Sequence, residues 1–356
     1  MPSLTNFPNG VSSFGMPVLP GVSMPFTGNV YFVDPVNGGD GNDGKAPGAG
    51  RAFKTLYRAH GECTSGNNDV VFLVGNGAIS GTAQLTLAGA VAETSRTGAT
   101  AATAGTLVWS KNATHLIGIS SGNGVASRAR IGSSYGVTGD AYTVATFGSK
   151  TFVSVTAYGC MFNNIFVTND FSTGGTAELL WVDTGQRNNY VNCHFFGMAN
   201  AASAADADSR TLVVGSGGNG ENTFYNCVIG GDTVSRSAAN ASLELTGGTP
   251  RNRFIDCMFP FHAANASVLG VLIIGAAAID RWTLFKGCSF INAIQSAATT
   301  MTVLVSMTSG SSGGLFLIQD CLSVGMTDLG GPNALAHSYV QPALSSSTTG
   351  LAVACT

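Results

Sequence analysis

The sequence predicts an all-β protein, a parallel β-helix of about seven to nine turns with about 31 residues per turn. Three observations predict this solenoid. Cysteine returns at a nearly constant spacing, a residue that tolerates positive φ precedes each of these cysteines, and large apolar residues flank them at fixed offsets. An extended N-terminal arm and a short capping helix are predicted to precede the coil.

The repeat is defined by six cysteines, separated by 33, 34, 30, 31 and 33 residues. They are Cys160, Cys193, Cys227, Cys257, Cys288 and Cys321. The residue before each is Gly, Asn or Asp, which indicates a backbone corner. We therefore predict a structural ladder of buried thiols in successive turns. A disulfide is less favoured, since stacked Cβ vectors are parallel, and the spacing does not match a zinc site.

Large apolar residues three positions before and two positions after each cysteine predict the core. Phe224, Phe254 and Phe285 belong to the first column, and Phe259 and Phe290 to the second. Residues three apart on an unbroken strand face opposite sides, so both columns reach one core only if the chain turns between them. Parallel stacking then places Phe on Phe. A helical solenoid is the alternative, which the Gly, Asn, Thr and β-branched content disfavours.

A second strand in each turn is predicted by apolar residues that recur at spacings of 32, 31, 29 and 31 inside β-prone runs. This column consists of Leu180, Leu212, Leu243, Leu272 and Val303. Near the N-terminus, Phe53, Leu56 and Tyr57 are predicted to share one face of a short helix within residues 51–63. Such a helix would cover the open end of the coil.

The chain divides into four predicted parts. These are the extended apolar arm at 1–28, a lead-in turn and capping helix at 29–66, the parallel β-helix at 67–326, and a C-terminal tail or cap at 327–356.

The arm holds five of the eleven prolines and no charged residue. Proline at this density excludes a helix or a central strand, so the arm is predicted to be extended. An apolar, uncharged arm needs a surface that covers it, either the protein's own coil or a partner. Docking on a partner is the favoured interpretation, through Phe7, Phe14, Met16, Leu19, Met24 and Phe26.

Charge and composition disfavour several classes of function. The net charge is −3 with only 10% charged residues and no cluster of Lys or Arg, which disfavours nucleic-acid binding. The sequence has no long uninterrupted apolar run, so no membrane span is predicted. Residues 1–33 lack the charged start of an export signal, so we expect synthesis in the cytoplasm. No cofactor is predicted.

The GGDGNDG turn offers weak metal-ligand candidates in Asp40, Asn42 and Asp43. Their positions do not alternate as in a calcium loop, and no Glu follows at the required distance. A turn built from Gly, Asn and Asp is therefore favoured, and no metal site is predicted.

The segment YFVDPVNGGDGNDGKAPGAGRAFKTLYRAH at 31–60 resembles the N-terminal region of pectin-lyase-like right-handed parallel β-helix proteins. Together with FPNGVSSFGMPVLPG at 7–21, it is similar to the start of bacteriophage-encoded virion proteins of that fold. The resemblance implies a right-handed coil. It also implies a protein made in the host cytoplasm and placed on the virion exterior as a capsid decoration or minor head protein.

In that role the arm would bind the major capsid protein or another virion protein. We expect a homo-oligomer, with a trimer as one option. The alternative is a tail spike or fibre that binds, and could cleave, host surface glycans. The short segment ahead of the coil favours decoration. A bacterial adhesin is a third class, for which an export signal would be expected.

The same resemblance raises the question of catalysis. The N-T-D, D-D and G-H-G elements of polygalacturonase-like members and the Arg-x-Pro-x-x-Arg element of pectate lyases are missing. Glu178, Asp183 and Glu244 are the weak catalytic candidates, because they could share the face of the second strand column. Solvated surface residues are the commoner reading of such carboxylates, so we expect no enzyme.

Overall fold

A computed structural model of the chain describes residues 12–13, 16–17, 27–35, 37–75, 106–119, 129–132, 151–168, 177–215, 219–275, 278–292, 299–308, 314–335 and 338–341. Within these ranges the chain forms three parallel sheets, one short antiparallel pair and three short helices. Each successive strand of a sheet pairs in parallel with the strand one turn earlier. The predicted parallel β-helix is confirmed.

The sheets are named here in the order in which each turn of the chain enters them. Sheet 1 contains Val30–Val33, Asp69–Val74, Thr114–Ile119, Met161–Asn163, Asn189–Val191, Thr223–Tyr225, Asn252–Ile255, Trp282–Lys286, Leu315–Gln319 and Ser338–Gln341. Sheet 2 contains Ala129–Gly132, Ile165–Thr168, His194–Phe196, Val228–Ile229, Met258–Phe261, Ser289–Asn292 and Leu322–Val324. Sheet 3 contains Leu107–Trp109, Thr151–Val155, Leu179–Asp183, Arg210–Val214, Ala241–Thr246, Leu269–Ile274, Met301–Met307 and Met326–Gly330.

The corner between sheets 1 and 2 is made by a residue whose φ lies between 51° and 63°. The residues are Asn164, Asn192, Asn226, Asp256, Gly287 and Asp320. Five of them were predicted from the residue before each cysteine, and those five are confirmed. Gly, Asn and Asp adopt this left-handed conformation at the lowest cost, so the chain can turn inward here without a long loop.

The first turn of the cysteine ladder is not where the spacing predicts it. Phe162 pairs with Tyr190 of the next turn, so Ile165 takes the position that cysteine occupies in later turns. Cys160 instead lies before its sheet 1 strand, where its N–H donates to Oδ1 of Asn188 at 2.9 Å. The turn from Phe162 to Tyr190 is shorter than the average turn, and Cys160 lies early in its own turn. These two differences cancel, so the spacing from Cys160 to Cys193 looks regular although Cys160 is not part of the ladder.

The core is a column of parallel rings. Tyr190 stacks on Phe224 with centroids 4.5 Å apart and an interplanar angle of 5°. Phe254 follows at 4.7 Å from Phe224, and Phe285 lies 4.7 Å from Phe254. The predicted stacking of Phe224, Phe254 and Phe285 is confirmed. The adjoining thiols contact the backbone one turn earlier, as in the 3.4 Å approach of Cys257 Sγ to the Phe224 carbonyl.

The apolar column of sheet 3 differs from the prediction. Leu212 and Leu243 pair as predicted, but Trp181 stands in line with Leu212, so Leu180 is displaced by one residue. Val271 likewise takes the place of Leu272, and Val303 pairs with Asp328 rather than continuing the column. Leu180 is fully buried although it faces away from Trp181. Both faces of the middle strands, such as Arg210–Val214 and Leu269–Ile274, are largely buried, so apolar residues do not alternate there.

The capping helix spans Leu56–Glu62, and Thr55 caps its N-terminus by accepting from the Arg58 N–H at 3.1 Å. Leu56 is buried as predicted, but Phe53 lies before the helix and Tyr57 is 44% exposed, so the predicted face was wrong at both of these residues. The other helices are Ala201–Ala204 and Pro332–Leu335.

Sheet 1 begins at Val30 and ends at Gln341, outside the predicted limits of the coil. None of the helices in the described ranges is both long and apolar enough to cross a membrane.

Candidate functional site

Glu178 and Glu244 lie at different places on sheet 3. Glu178 is fully buried just before the strand Leu179–Asp183, and its carboxylate accepts from the Met198 N–H at 3.2 Å. Glu244 points away from the core, and its Oε2 accepts from Nε of Arg210 at 2.7 Å. Arg210 itself is buried and also donates to the Ala207 carbonyl at 2.8 Å. Both carboxylates are therefore engaged within the protein.

Asp183 points to the interior of the coil. Its carboxylate accepts from the Tyr190 hydroxyl at 2.7 Å, from the Gly185 N–H at 2.8 Å and from Asn188 Nδ2 at 3.2 Å. Burial raises the pKa of Asp183 to about 6, although the hydrogen bonds from Tyr190 and Asn188 lower it in part. The side chain is fully buried, so Asp183 and Glu244 lie on opposite sides of sheet 3.

Sequence reasoning missed a buried arginine beneath the loops that cover sheet 3. Arg236 donates from Nε to Asn240 Oδ1 at 2.6 Å and from Nη1 to the Ser242 hydroxyl at 3.0 Å. Its Nη2 donates to the Asn240 and Leu269 carbonyls. Burial and the nearby charge of Arg210 lower the pKa of Arg236 to about 9. Neutral acceptors satisfy this cation, and no sequence pattern marks it.

The lead-in turn uses its polar side chains for local bonding. Asp40 accepts from the Lys54 and Thr55 N–H groups at 3.1 and 3.0 Å. Asn42 donates to the Ala52 carbonyl at 2.7 Å. Asp43 forms an exposed ion pair with Arg51, whose hydrogen bond lowers the pKa of Asp43. In the described part of the chain, no group of three or more His, Cys, Asp or Glu side chains is arranged to hold a metal ion.

The predicted partner-binding residues of the arm fall largely outside the described residues. Phe7, Phe14, Leu19, Met24 and Phe26 all do so. Met16 lies in the strand Met16–Pro17, which pairs antiparallel with Ser12–Ser13. Docking of the arm on a partner stays a prediction.

The outward face of sheet 1 combines exposed aromatic rings with arginine, and sequence reasoning missed it. Tyr225 is 46% exposed and Tyr339 is 59% exposed. The guanidinium carbon of Arg253 lies 5.5 Å from the centroid of a Trp282 ring. The alternation of side chains along a strand could have identified this face. Arg253 lies one residue before the inward ring of Phe254 and therefore points outward.

Two solved structures of polysaccharide lyases share this fold. The pectate lyase Pel9A is similar with a TM-score of 0.53 and 17% identity, covering 86% of this chain and 65% of its own length. A rhamnogalacturonan lyase is similar with a TM-score of 0.55 and 14% identity, covering 85% of this chain and 70% of its own. No family profile and no curated protein matches the sequence.

The chain therefore has the pectin-lyase-like right-handed parallel β-helix fold. Identities this low establish a shared fold and leave the function to be argued from this chain's own residues.

Proposed function

We propose that this protein is a bacteriophage virion protein that binds a polysaccharide of the host surface without cleaving it. In this proposal residues 1–28 hold it on the outside of the particle, as a capsid decoration or minor head protein. The resemblance of residues 7–21 and 31–60 to virion proteins supports the location. The observation that carries the binding role is one outward sheet face on which Tyr225 and Tyr339 are exposed and Arg253 packs over the half-buried ring of Trp282.

Binding without cleavage is supported by the state of the carboxylates. Glycosidases place two carboxyl groups on either side of the scissile bond, where both must reach the sugar. Glu178 and Asp183 are fully buried, and Glu244 is paired with Arg210. An aromatic ring on an exposed sheet, by contrast, offers a flat apolar surface to the C–H face of a sugar without any rearrangement.

A tail spike or fibre that cleaves host glycans is the second candidate. The fold shared with two polysaccharide lyases favours it. If this candidate is correct, shorter glycan fragments accumulate when the protein is incubated with its glycan.

Removal of residues 1–28 tests the location. The full chain and the truncated chain are each incubated with particles of a phage that lacks this protein, and the bound fraction is measured after sedimentation. We expect the full chain to sediment with the particles and the truncated chain to stay in solution while its circular dichroism remains β-rich. Equal sedimentation of both chains would contradict anchoring by the arm.

Glycan binding is tested on host cells with the fluorescently labelled full chain. Periodate oxidation of the cell surface opens sugar rings and leaves most proteins intact, so we expect it to abolish binding. Protease treatment of the cells is the matched control and should leave binding unchanged. Binding that survives periodate but not protease would show that the receptor is a protein.

A further inference from the structure

We infer that the outward face of the last five strands of sheet 1 binds a carboxylated polysaccharide. This inference rests on the proposed function and names the surface and the ligand class. The face begins at the strand Thr223–Tyr225 and ends at Ser338–Gln341. It lies on the opposite side of the backbone from the ring column of Phe224, Phe254 and Phe285.

The strands of this face carry charges of one sign. Its outward strand positions carry two cations, Arg253 and Lys286, and no carboxylate in these five described strands. The whole chain has a net charge of −3, so these strands are positive on an acidic protein. An anionic ligand is the partner that such a surface favours, because it gains from both cations and meets no opposing carboxylate on the strands.

Arg253 is placed to bind a carboxylate. Its guanidinium packs over the Trp282 indole, with 5.5 Å between the guanidinium carbon and the ring centroid. Arg253 is exposed, and Trp282 is half-buried beneath it. A guanidinium stacked on a ring keeps its N–H edge free to form two parallel hydrogen bonds with a carboxylate. Leu315 pairs with Trp282 on the next strand and is 40% exposed, which extends the apolar floor beside the cation.

The corner that leads into sheet 1 adds two more arginines. Glu221 accepts from Arg187 Nε at 2.6 Å and from Arg251 Nη1 at 2.5 Å, so one carboxylate lies between two cations. The side chains of Arg187 and Arg251 are 67% and 45% exposed. Arg281 and Asp280 form an exposed ion pair at the same edge and cancel, so Arg187, Arg251 and Glu221 leave it one net positive charge. The opposite corner carries Asp256 and Asp320, so the ligand's carboxylates are directed to the arginine edge.

The size of the face favours a polymer chain over a second copy of this protein. Five strands span four spacings, or about 19 Å, and a strand of five residues is about 16 Å long. The resulting area of about 300 Å² is well below the roughly 800 Å² that each partner contributes to a stable protein interface. A polysaccharide needs only a narrow track, and Tyr225 and Tyr339 mark its two ends.

The test measures affinity of the full chain for alginate, hyaluronate and polysialic acid, with dextran as the neutral control and carboxyl-reduced samples of each acid polymer. Arg253→Met keeps the packing stem and removes the charge, and Trp282→Leu removes the ring. Arg51→Met, in the lead-in turn, is the matched control because its side chain is 55% exposed and ion-paired. All variants are checked for an unchanged melting temperature.

We expect at least one carboxylated polymer to bind, and its carboxyl-reduced form and dextran to bind at least tenfold more weakly. Arg253→Met and Trp282→Leu should each lose at least tenfold in affinity, and Arg51→Met should not.

If a polymer binds but neither face variant weakens its binding, the inference about this surface is overturned while glycan binding stands. If only neutral polymers bind, the ligand class is overturned. If no polymer binds and host cells are not bound either, the proposed function fails as well. A dimer that Trp282→Leu dissociates would identify a second copy as the occupant and overturn the inference.

Discussion

At the scale of the residue, the coil depends on side chains that accept a left-handed backbone. The corner between sheets 1 and 2 uses Gly, Asn or Asp, and the sequence alone predicted five of its six positions. A second corner, which leads into sheet 1, places Arg187, Glu221 and Arg251 at φ of 57°, 60° and 52°. It could not be predicted, because Arg and Glu are not residues that favour positive φ.

Asp320 provides a direct test of the first corner, since its φ is 53° and its side chain is exposed. Asp320→Val places a β-branched side chain in the left-handed region and should lower the free energy of unfolding by about 1–2 kcal/mol. Asp320→Gly is the matched control and should leave stability nearly unchanged. Chemical denaturation measures both. Equal stability of the Val and Gly variants would show that the corner is not left-handed in solution.

Asp183 should make stability depend on pH. Its folded pKa of about 6 lies above the ordinary value of 3.8, so the folded state favours the protonated acid. Its contribution is therefore full below pH 4 and is lost as the pH rises through 6. A shift of this size corresponds to about 3 kcal/mol.

Asp183→Asn stays neutral at every pH and should not show this loss. Relative to the unmodified protein, its free energy of unfolding should rise by up to about 3 kcal/mol between pH 4 and pH 7. A difference between the two proteins that stays constant over this range would contradict the raised pKa.

At the scale of the element, the ring column is the feature that the sequence predicted best. Phe224, Phe254 and Phe285 are spaced by one turn, and their offset from each cysteine is constant, so the pattern identifies the register directly. Cys160 was misplaced because a constant spacing can arise from two compensating shifts in turn length. In sheet 3 the register was off by one residue at Leu180 and Leu272, since a sheet covered on both faces has no alternation to read.

Phe254→Ala should remove a ring that is fully buried between two neighbours at 4.7 Å. The lost contacts and the cavity should lower the free energy of unfolding by about 3–5 kcal/mol. Tyr225→Ala is the control on the adjacent strand, where the ring is 46% exposed, and should change stability by no more than about 0.5 kcal/mol. Similar losses in the two variants would show that the ring column does not form the core.

At the scale of the whole molecule, the fold could be predicted from repetition, but the candidate site could not. Stacked turns place like residues together inside the coil, whereas the outward face is built from single residues such as Arg253 and Trp282 that do not repeat from turn to turn. The three carboxylates singled out from the sequence are engaged inside the protein or in an ion pair. Only the register shows which residues share the exposed surface.

The most direct test of glycan binding without cleavage is the length of the polysaccharide during prolonged contact with the protein. A carboxylated polymer that binds the full chain is incubated with it, and its mass distribution is followed by light scattering after the protein is removed. We predict that the polymer is retained by the protein and keeps its starting length throughout. A steady fall in length, with release of unsaturated or reducing ends that Glu244→Gln abolishes, would contradict this and identify the protein as a glycan-cleaving enzyme.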